Sequence, residues 1–397
     1  MNILVVCQHY YPEPFRITDI CEELVKRNHD VTVLTGVPNY PMGKIYDGYK
    51  NKKRRYEEIN GVKVHRSFTI GRRTGIFWRI LNYYSFSISS QFYVNRFKEK
   101  FDVVLINQLS PIMMANAGIR YKKRTGTKIL HYCMDLWPES LIAGGIKRNS
   151  LIYKFFHSVS GKIYRKADKI LITSRSFEEY LIENFGIKKE NIEYLPQYSE
   201  ALFNFETCRK EQNGNLDLMF AGNIGAVQCV DAIIRAATLT LDEPKIKWHI
   251  VGDGSEYESC KKLSQELKTE NVIFHGRQSL EEMPKYYSMA DVMLVTMTDD
   301  PVISKTLPGK VQSYMAAGKP IIATSGGETE RVINKARCGL CFEAGNEKSL
   351  AQCAQSLLSG ADLKMYGDNA LKYHESHFSK DMFFLKLNEE FKKIGTQ

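Results

Sequence analysis

Between Val292 and Thr324 the sequence reads as strand, basic loop, helix and strand with few residues to spare. Val292-Met293-Leu294-Val295 is an apolar run of strand length, the pattern of a strand buried on both faces. A loop follows with Lys305, Thr306 and Pro308-Gly309-Lys310, then a short helix that ends at Gly318, and a second strand from Pro320 to Thr324. A strand that feeds a glycine-containing basic loop and a helix N-terminus makes an anion site, because backbone N–H groups and two lysines converge beyond the strand end. A diphosphate is the guest this arrangement suits.

The same alternation runs through the chain. Strands are expected at Asn2–Cys7, Asp30–Thr35, Val62–Ser67, Asp102–Ile106, Thr127–Tyr132 and Asp168–Thr173. They are expected again at Leu216–Ala221, Ile246–Val251, Val272–His275, Asp291–Met297 and Pro320–Thr324. Helical segments separate most of them, among them Phe15 to Arg27 with Ile17, Ile20, Leu24 and Val25 on one face. Repeated βα units imply doubly wound parallel sheets, and 397 residues are many for one core. The expected fold class is therefore α/β, with two Rossmann-like domains facing across a cleft: residues 1–200, then 201–379, with a last helix, 380–395, returning to the first.

Charge is unevenly spread. Residues 1–200 hold 32 basic and 19 acidic side chains, and 201–397 hold 23 and 26, so the whole formal excess of +10 lies in the first half. Residues 51–100 alone hold 12 basic and 3 acidic. An anionic partner fits such a bias: nucleic acid, a membrane surface or a phosphorylated lipid. No RNA- or DNA-binding motif accompanies it. The aromatic stretch Ile76 to Phe97 is too polar to span a bilayer; it reads either as an interfacial helix or as a core helix with exposed tyrosines. Nine cysteines without framework spacing read as thiols of a cytosolic protein.

The loops after strands carry the candidate chemistry. In the second domain these are Gly222-Asn223-Ile224-Gly225 with Gln228, Gly252-Asp253-Gly254, Gly276-Arg277, and Ser325-Gly326-Gly327-Glu328. The glycines let amides approach phosphate oxygens, Arg277 offers a cation to a base or phosphate, and Glu328 offers a carboxylate to ribose or sugar hydroxyls. No dinucleotide fingerprint is present. In the first domain they are Asn107-Gln108, Asp135 with Trp137 and Glu139, Ser174-Arg175 and Gln197, while Arg16 opens the first helix. Asp135 or Glu139 could accept the proton of an acceptor hydroxyl; alternatively Asp135 is a cap and Trp137 is core. His9 and His131 read as structural histidines.

In order along the chain, YYPEPFRITDICEELVKRNHDVTVLTGVPNYPMGKIYDGY, DLWPES, AGNIGAVQCVDAIIRAA and LPGKVQSYMAAGKPIIATSGGE resemble the family 4 retaining glycosyltransferases of GT-B fold. Within them the likeness is to the bacterial surface-polysaccharide branch of fucosamine-transferase and colanic-acid type. That resemblance implies a UDP-sugar donor in the C-terminal domain and a polyprenyl-diphosphate-linked saccharide acceptor in the N-terminal one. It also implies O-antigen, capsule or exopolysaccharide synthesis at the inner face of the cytoplasmic membrane, with neither metal nor other cofactor. By carry-over, Gly222, Asn223, Gly225 and Gln228 line the diphosphate, and Lys305, Thr306, Lys310 and Ser313 reach phosphates or ribose. Gly252, Asp253, Arg277, Gly327, Glu328 and Arg16 complete the donor site. Asn107, Gln108, Trp137, Ser174, Arg175 and Gln197 hold the acceptor, and Asp135, Glu139, Lys305 and Lys310 serve catalysis.

The chain departs from the family pattern in places. Asn223 and Gln228 stand where many relatives have Arg and Lys, and the common glutamate pair falls at Lys305 and Ser313. A histidine often held catalytic falls near Met134, and Glu13-Pro14-Phe15-Arg16 replaces a glycine pair. Lys305 and Lys310 would then supply the missing cations. Two other readings share parts of the pattern: a nonhydrolysing UDP-sugar epimerase, and a non-enzymatic protein that binds anionic membranes.

Overall fold

The computed structural model describes residues 1–143, 145–210, 213–358 and 363–395. Two compact units emerge. The first comprises Met1–Thr173, Phe177–Leu195 and the chain from Leu387 onward; the second comprises Ser174–Ser176 and Pro196–Lys386. The last helix, Lys380–Gly395, thus changes unit part-way, and its Phe391 ring lies 6.0 Å from that of His29 in the first.

The first unit is built on strands β1 (Asn2–Val6), β2 (Asp30–Thr35), β3 (Tyr56–Ile59), β4 (Val62–Arg66), β5 (Val103–Gln108), β6 (Lys128–Cys133), β7 (Lys169–Ile172) and β8 (Ile192–Tyr194). Their order across the sheet is β3-β4-β2-β1-β5-β6-β7-β8, parallel apart from the antiparallel β3–β4 pair. β3 falls inside the stretch Gly36 to Asn60, which reads as loop from its sequence. Its YEEI residues alternate exposed and half-buried, because an edge strand buries little. β8 was likewise unforeseen; it has only three residues.

The second unit has strands β9 (Leu216–Ala221), β10 (Ile246–Val251), β11 (Val272–Gly276), β12 (Val292–Thr296), β13 (Ile321–Thr324) and β14 (Gly339–Phe342). They are ordered β11-β10-β9-β12-β13-β14, and every pairing is parallel. Alternate residues of β9 serve two cores: Met219 and Ala221 pack with Tyr314 and Met315 on one face, Leu218 and Phe220 with Trp248 and Ile233 on the other. Cys338 and Cys341 flank or form β14, and both remain thiols.

In each unit the first strand is central and the order reverses beside it, at β1/β5 and at β9/β12. Ligands of such sheets collect outside the strand C-termini near that reversal.

Candidate active site

Beyond the C-terminal ends of β9 and β10 lies a cavity of about 610 Å³, lined among others by Gly222, Asn223, Gly252, Asp253, Arg277 and Lys310. The loops that shape it are laced together by backbone bonds: Gly222 N–H to Val251 O at 2.9 Å, Gly252 N–H to Gly276 O at 2.9 Å, and Ile224 N–H to Asp253 O at 2.9 Å. This crossing leaves no room for side chains. Gly252 has φ +141°, and a Cβ there would sit 1.8 Å from Gly222 O. Gly222, at φ +143°, would place a Cβ 3.0 Å from the Lys310 Nζ.

Lys310 is the chemically unusual member. It sits in the first turn of the helix Gly309–Ala316, at the positive end of that helix's dipole. The residue as a whole is half-buried, yet its Nζ is enclosed and has no hydrogen-bond partner. It rests 3.7 Å above the centre of the Phe220 ring, a contact that favours the cation only in part. Burial lowers its pKa from 10.5 to about 7. A buried amine with no partner, aimed at a cavity of diphosphate size, is a group waiting for an anion.

Other expected donor residues are placed differently. Gly225 lines a separate cavity of about 540 Å³ beside Cys229 and Cys260. Gln228 braces the loop: its Oε1 accepts from Gly225 N–H at 3.1 Å and Asn223 Nδ2 at 3.2 Å. Ser313 is buried, bonded to Lys310 O at 3.0 Å and to the Tyr287 hydroxyl at 3.1 Å, so it lies under the site. Lys305 and Thr306 are not among the residues lining the 610 Å³ cavity. Glu328 is fully buried and spent: Arg331 binds it through Nε at 2.9 Å, and the Arg175 N–H and Ser176 hydroxyl donate to it at 3.1 Å each. Its carboxylate therefore has no capacity left for sugar hydroxyls. Gly327, at φ +67°, packs against Ser304 O, where a Cβ would approach to 2.3 Å. Ser174 and Arg175 group with the second unit, and the Ser174 hydroxyl donates to Lys305 O. The Ser174 hydroxyl is thereby committed within the second unit, while the Arg175 side chain is exposed. Gln197 is half-buried.

In the first unit Asp135 follows β6. Its carboxyl accepts from the Ser110 hydroxyl, which also meets the Ser140 hydroxyl at 2.9 Å and the Trp137 indole N–H at 3.0 Å. Burial raises the Asp135 pKa, against hydrogen bonds from Ser110 and Ser140. A carboxylate made more basic in this way can accept a proton. Glu139 cannot share the task. It is buried, and its oxygens are taken by the Tyr153 hydroxyl at 2.5 Å, the Tyr180 hydroxyl at 2.8 Å and Arg148 at 2.5 Å. Trp137 is core, packed edge-on against Phe156 at 5.0 Å. Gln108 is also buried, bonded to Asp135 O at 2.8 Å and to His131 at 3.2 Å, so it positions the Asp135 loop. Asn107 is buried beside it. His131 is held neutral, its pKa lowered to about 3 by burial. Arg16 is the N-cap of helix Ile17–Lys26. Ser110, Phe203 and Tyr287 were not foreseen; only the position of Ser110, two residues past β5, hinted at it.

Two family models match the chain: one described as Glycosyltransferase Family 4 over residues 16–197, one as Glycosyl transferases group 1 over 215–360. The chain belongs to the family 4 glycosyltransferases. This glycosyltransferase is 25% identical over 348 residues to the colanic acid biosynthesis glycosyl transferase WcaI of Escherichia coli, covering 83% of this chain and 84% of that one. Its structure resembles sucrose-phosphate synthase of Thermosynechococcus elongatus, with TM-score 0.75 and 16% identity over 99% of this chain and 98% of the other. It also resembles HepE of Anabaena solved in complex with UDP, with TM-score 0.72 and 13% identity over 99% and 100%. These structural likenesses establish the GT-B fold of the glycosyltransferase.

Proposed function

We propose that the enzyme transfers a sugar, with an N-acetylated aminosugar such as N-acetylfucosamine as the leading candidate, from a UDP-sugar to a lipid-diphosphate-linked glycan in O-antigen, capsule or exopolysaccharide synthesis, with retention. The enclosed, unpartnered Nζ of Lys310 at the 610 Å³ cavity carries this reading. The UDP complex of HepE and the colanic acid role in the name of WcaI support it. The donor diphosphate lies against the Gly222 and Gly252 loops, with Lys310 at its oxygens and Arg277 toward the base or outer phosphate. Negative charge builds on the leaving diphosphate as the glycosidic bond breaks, and a preorganised ammonium there lowers the barrier more than it favours the ground state. The leaving oxygen takes the acceptor proton on the same face; within the first unit, Asp135 is the carboxylate that burial makes more basic and so suited to assist. In this reading Lys310 and the amides supply the charge that a metal supplies elsewhere, so transfer proceeds without one.

A lipid-linked acceptor requires approach to a membrane. Among the described residues no helix is long and apolar enough to cross one, and attachment in this reading is peripheral, at the inner face of the cytoplasmic membrane. The test is a panel of UDP-sugars screened for protection against thermal unfolding, followed by transfer with UDP release as readout. A donor bound only by the folded state raises the melting temperature. No protection by any UDP-sugar, or sugar epimerised while still on its nucleotide, overturns the reading.

A further inference from the structure

The helix Ile76–Tyr93 buries a mixed face and leaves an apolar one exposed. Its inward face carries Phe86 together with Asn82 and Ser87, all buried, and the two polar side chains donate to Ile70 O at 2.6 Å and Met113 O at 2.9 Å. Its outward face carries Phe77, Ile80, Ile88 and Phe92, between 47% and 67% exposed, at the helical spacing that makes one stripe. Guanidinium groups border the stripe over aromatic rings: Arg73 over Trp78 at 4.4 Å, Arg96 over Tyr93 at 5.1 Å and Arg120 over Phe92 at 5.8 Å. Apolar residues edged by arginine and aromatic pairs are the chemistry of a lipid interface.

At the C-terminal end of this stripe lies a pocket of about 500 Å³, lined by Lys52, Arg55, Arg66 and Arg96, by Phe68 and Phe92, and by no acidic residue. Arg66 is 1% exposed; it pairs with Glu57 at 2.7 Å and donates to Tyr11 O at 2.7 Å, but its Nε has no partner. Arg55 donates to Ser67 O at 3.0 Å, and burial lowers its pKa. Four cations thus converge with one carboxylate, Glu57, beside them, and a buried donor is left over. Such a cluster is repulsive until an anion fills it.

We propose that this pocket binds the phosphate of an anionic membrane phospholipid, whose acyl chains then lie along Phe92, Ile88 and the rest of the outward stripe. The continuity of the cationic pocket with the exposed rings selects a lipid over a free phosphate. The inference rests on the membrane-facing part of the proposed function but not on the donor site, so the two fail separately.

The experiment is flotation of the full chain with phosphatidylcholine vesicles, with and without phosphatidylglycerol. The wild type should float with the anionic vesicles. Lys52→Glu/Arg96→Glu, two exposed positions, should lower that partition at least about tenfold, since each basic group near such a surface contributes about 1 kcal/mol. Phe77→Ser/Phe92→Ser should lower it as well, and both variants should keep the wild-type melting temperature and UDP protection. Flotation of the charge-reversal variant equal to the wild type, or no wild-type flotation, overturns the proposal while UDP protection still reports on the donor site. Thermal protection by inorganic phosphate without wild-type flotation also overturns it, since the pocket would then read free phosphate.

Discussion

Lys310 offers the sharpest test, because its burial makes opposite predictions for binding and for stability. A charged amine about 4 Å from a phosphate charge at an effective dielectric near 20 is attracted by about 4 kcal/mol. With a pKa of about 7 in the free protein, the amine is half-charged at neutral pH. Binding to two phosphates raises that pKa again, so the complex takes up a proton. Above pH 7 the competent charged fraction falls about tenfold per unit, and donor affinity falls with it until the pKa of the complex is reached. Lys310→Ala should remove this slope and lower turnover at least about tenfold, on the order of 1.4 kcal/mol.

Folding pulls the other way. The folded-state pKa lies below that of the unfolded chain, so between pH 7 and 10.5 the unfolded chain binds more protons and the stability of the wild type rises with pH. Lys310→Met removes the buried charge and should raise the melting temperature of the ligand-free protein at pH 7 while weakening UDP. Calorimetric titration with UDP in buffers of different ionisation enthalpy counts the proton directly, and the variant corrects for titration of the ligand. A wild-type affinity that is flat with pH once that correction is made, together with unchanged transfer by folded Lys310→Ala, refutes the reasoning.

Asp135→Asn should lower turnover by about a hundredfold with UDP protection unchanged. Because burial raises its pKa, the wild-type rate should fall on the acid side at a pH above the ordinary carboxylate range, and the variant should lack that limb. Glu139→Gln breaks a hydrogen-bonded hub held by two tyrosines and Arg148 and should cost about 2 kcal/mol in urea unfolding, a measurement that separates a brace from a base. Asp217 anchors His249 at 2.9 Å and Lys210 at 2.7 Å. Burial pushes its carboxyl up, but hydrogen bonds from His249, Lys210 and Asn213 outweigh it and hold the pKa well below the usual range. Its contribution is present above the unfolded carboxyl pKa and lost as pH falls through the folded one; Asp217→Asn should therefore destabilise the protein at pH 7 and converge with the wild type in acid. EDTA should leave transfer unchanged.

What the sequence disclosed and what it withheld follow from the range of the interactions. β2, β9 and β10 begin and end at the residues that apolar runs and flanking turns mark, since burial on both sheet faces writes a continuous hydrophobic signal. The Gly222 and Gly252 loops were legible because a glycine immediately past a strand is a local feature, and Lys310 because it follows Pro308-Gly309 at the opening of a short helix. Whether a polar residue is free to act is not local. Asp135 and Glu139 look alike in DLWPES, but Glu139 meets Tyr153 and Tyr180, 14 and 41 residues further on, and Asp135 meets Ser110, 25 residues back. Glu328 was misjudged likewise, because Arg331 and the Arg175 N–H lie outside its glycine turn.

The helix Ile76–Tyr93 sharpens the point. Periodicity places Phe77, Ile88 and Phe92 on one face, but hydrophobicity alone would turn that face inward. The opposite face goes inward because Phe86 is buried there while Asn82 and Ser87 satisfy the carbonyls of Ile70 and Met113, which would be costly to bury unpaired. An apolar stripe left in water by such a polar lock costs free energy in the isolated protein, and a lipid surface is the environment that would recover it. The basic excess of residues 51–100 gathers beside the same stripe, in Lys52, Arg55, Arg66 and Arg96. Charge and exposed apolar stripe thus meet on one edge of the first unit, and the charge-reversal variants decide whether that edge binds an anionic membrane.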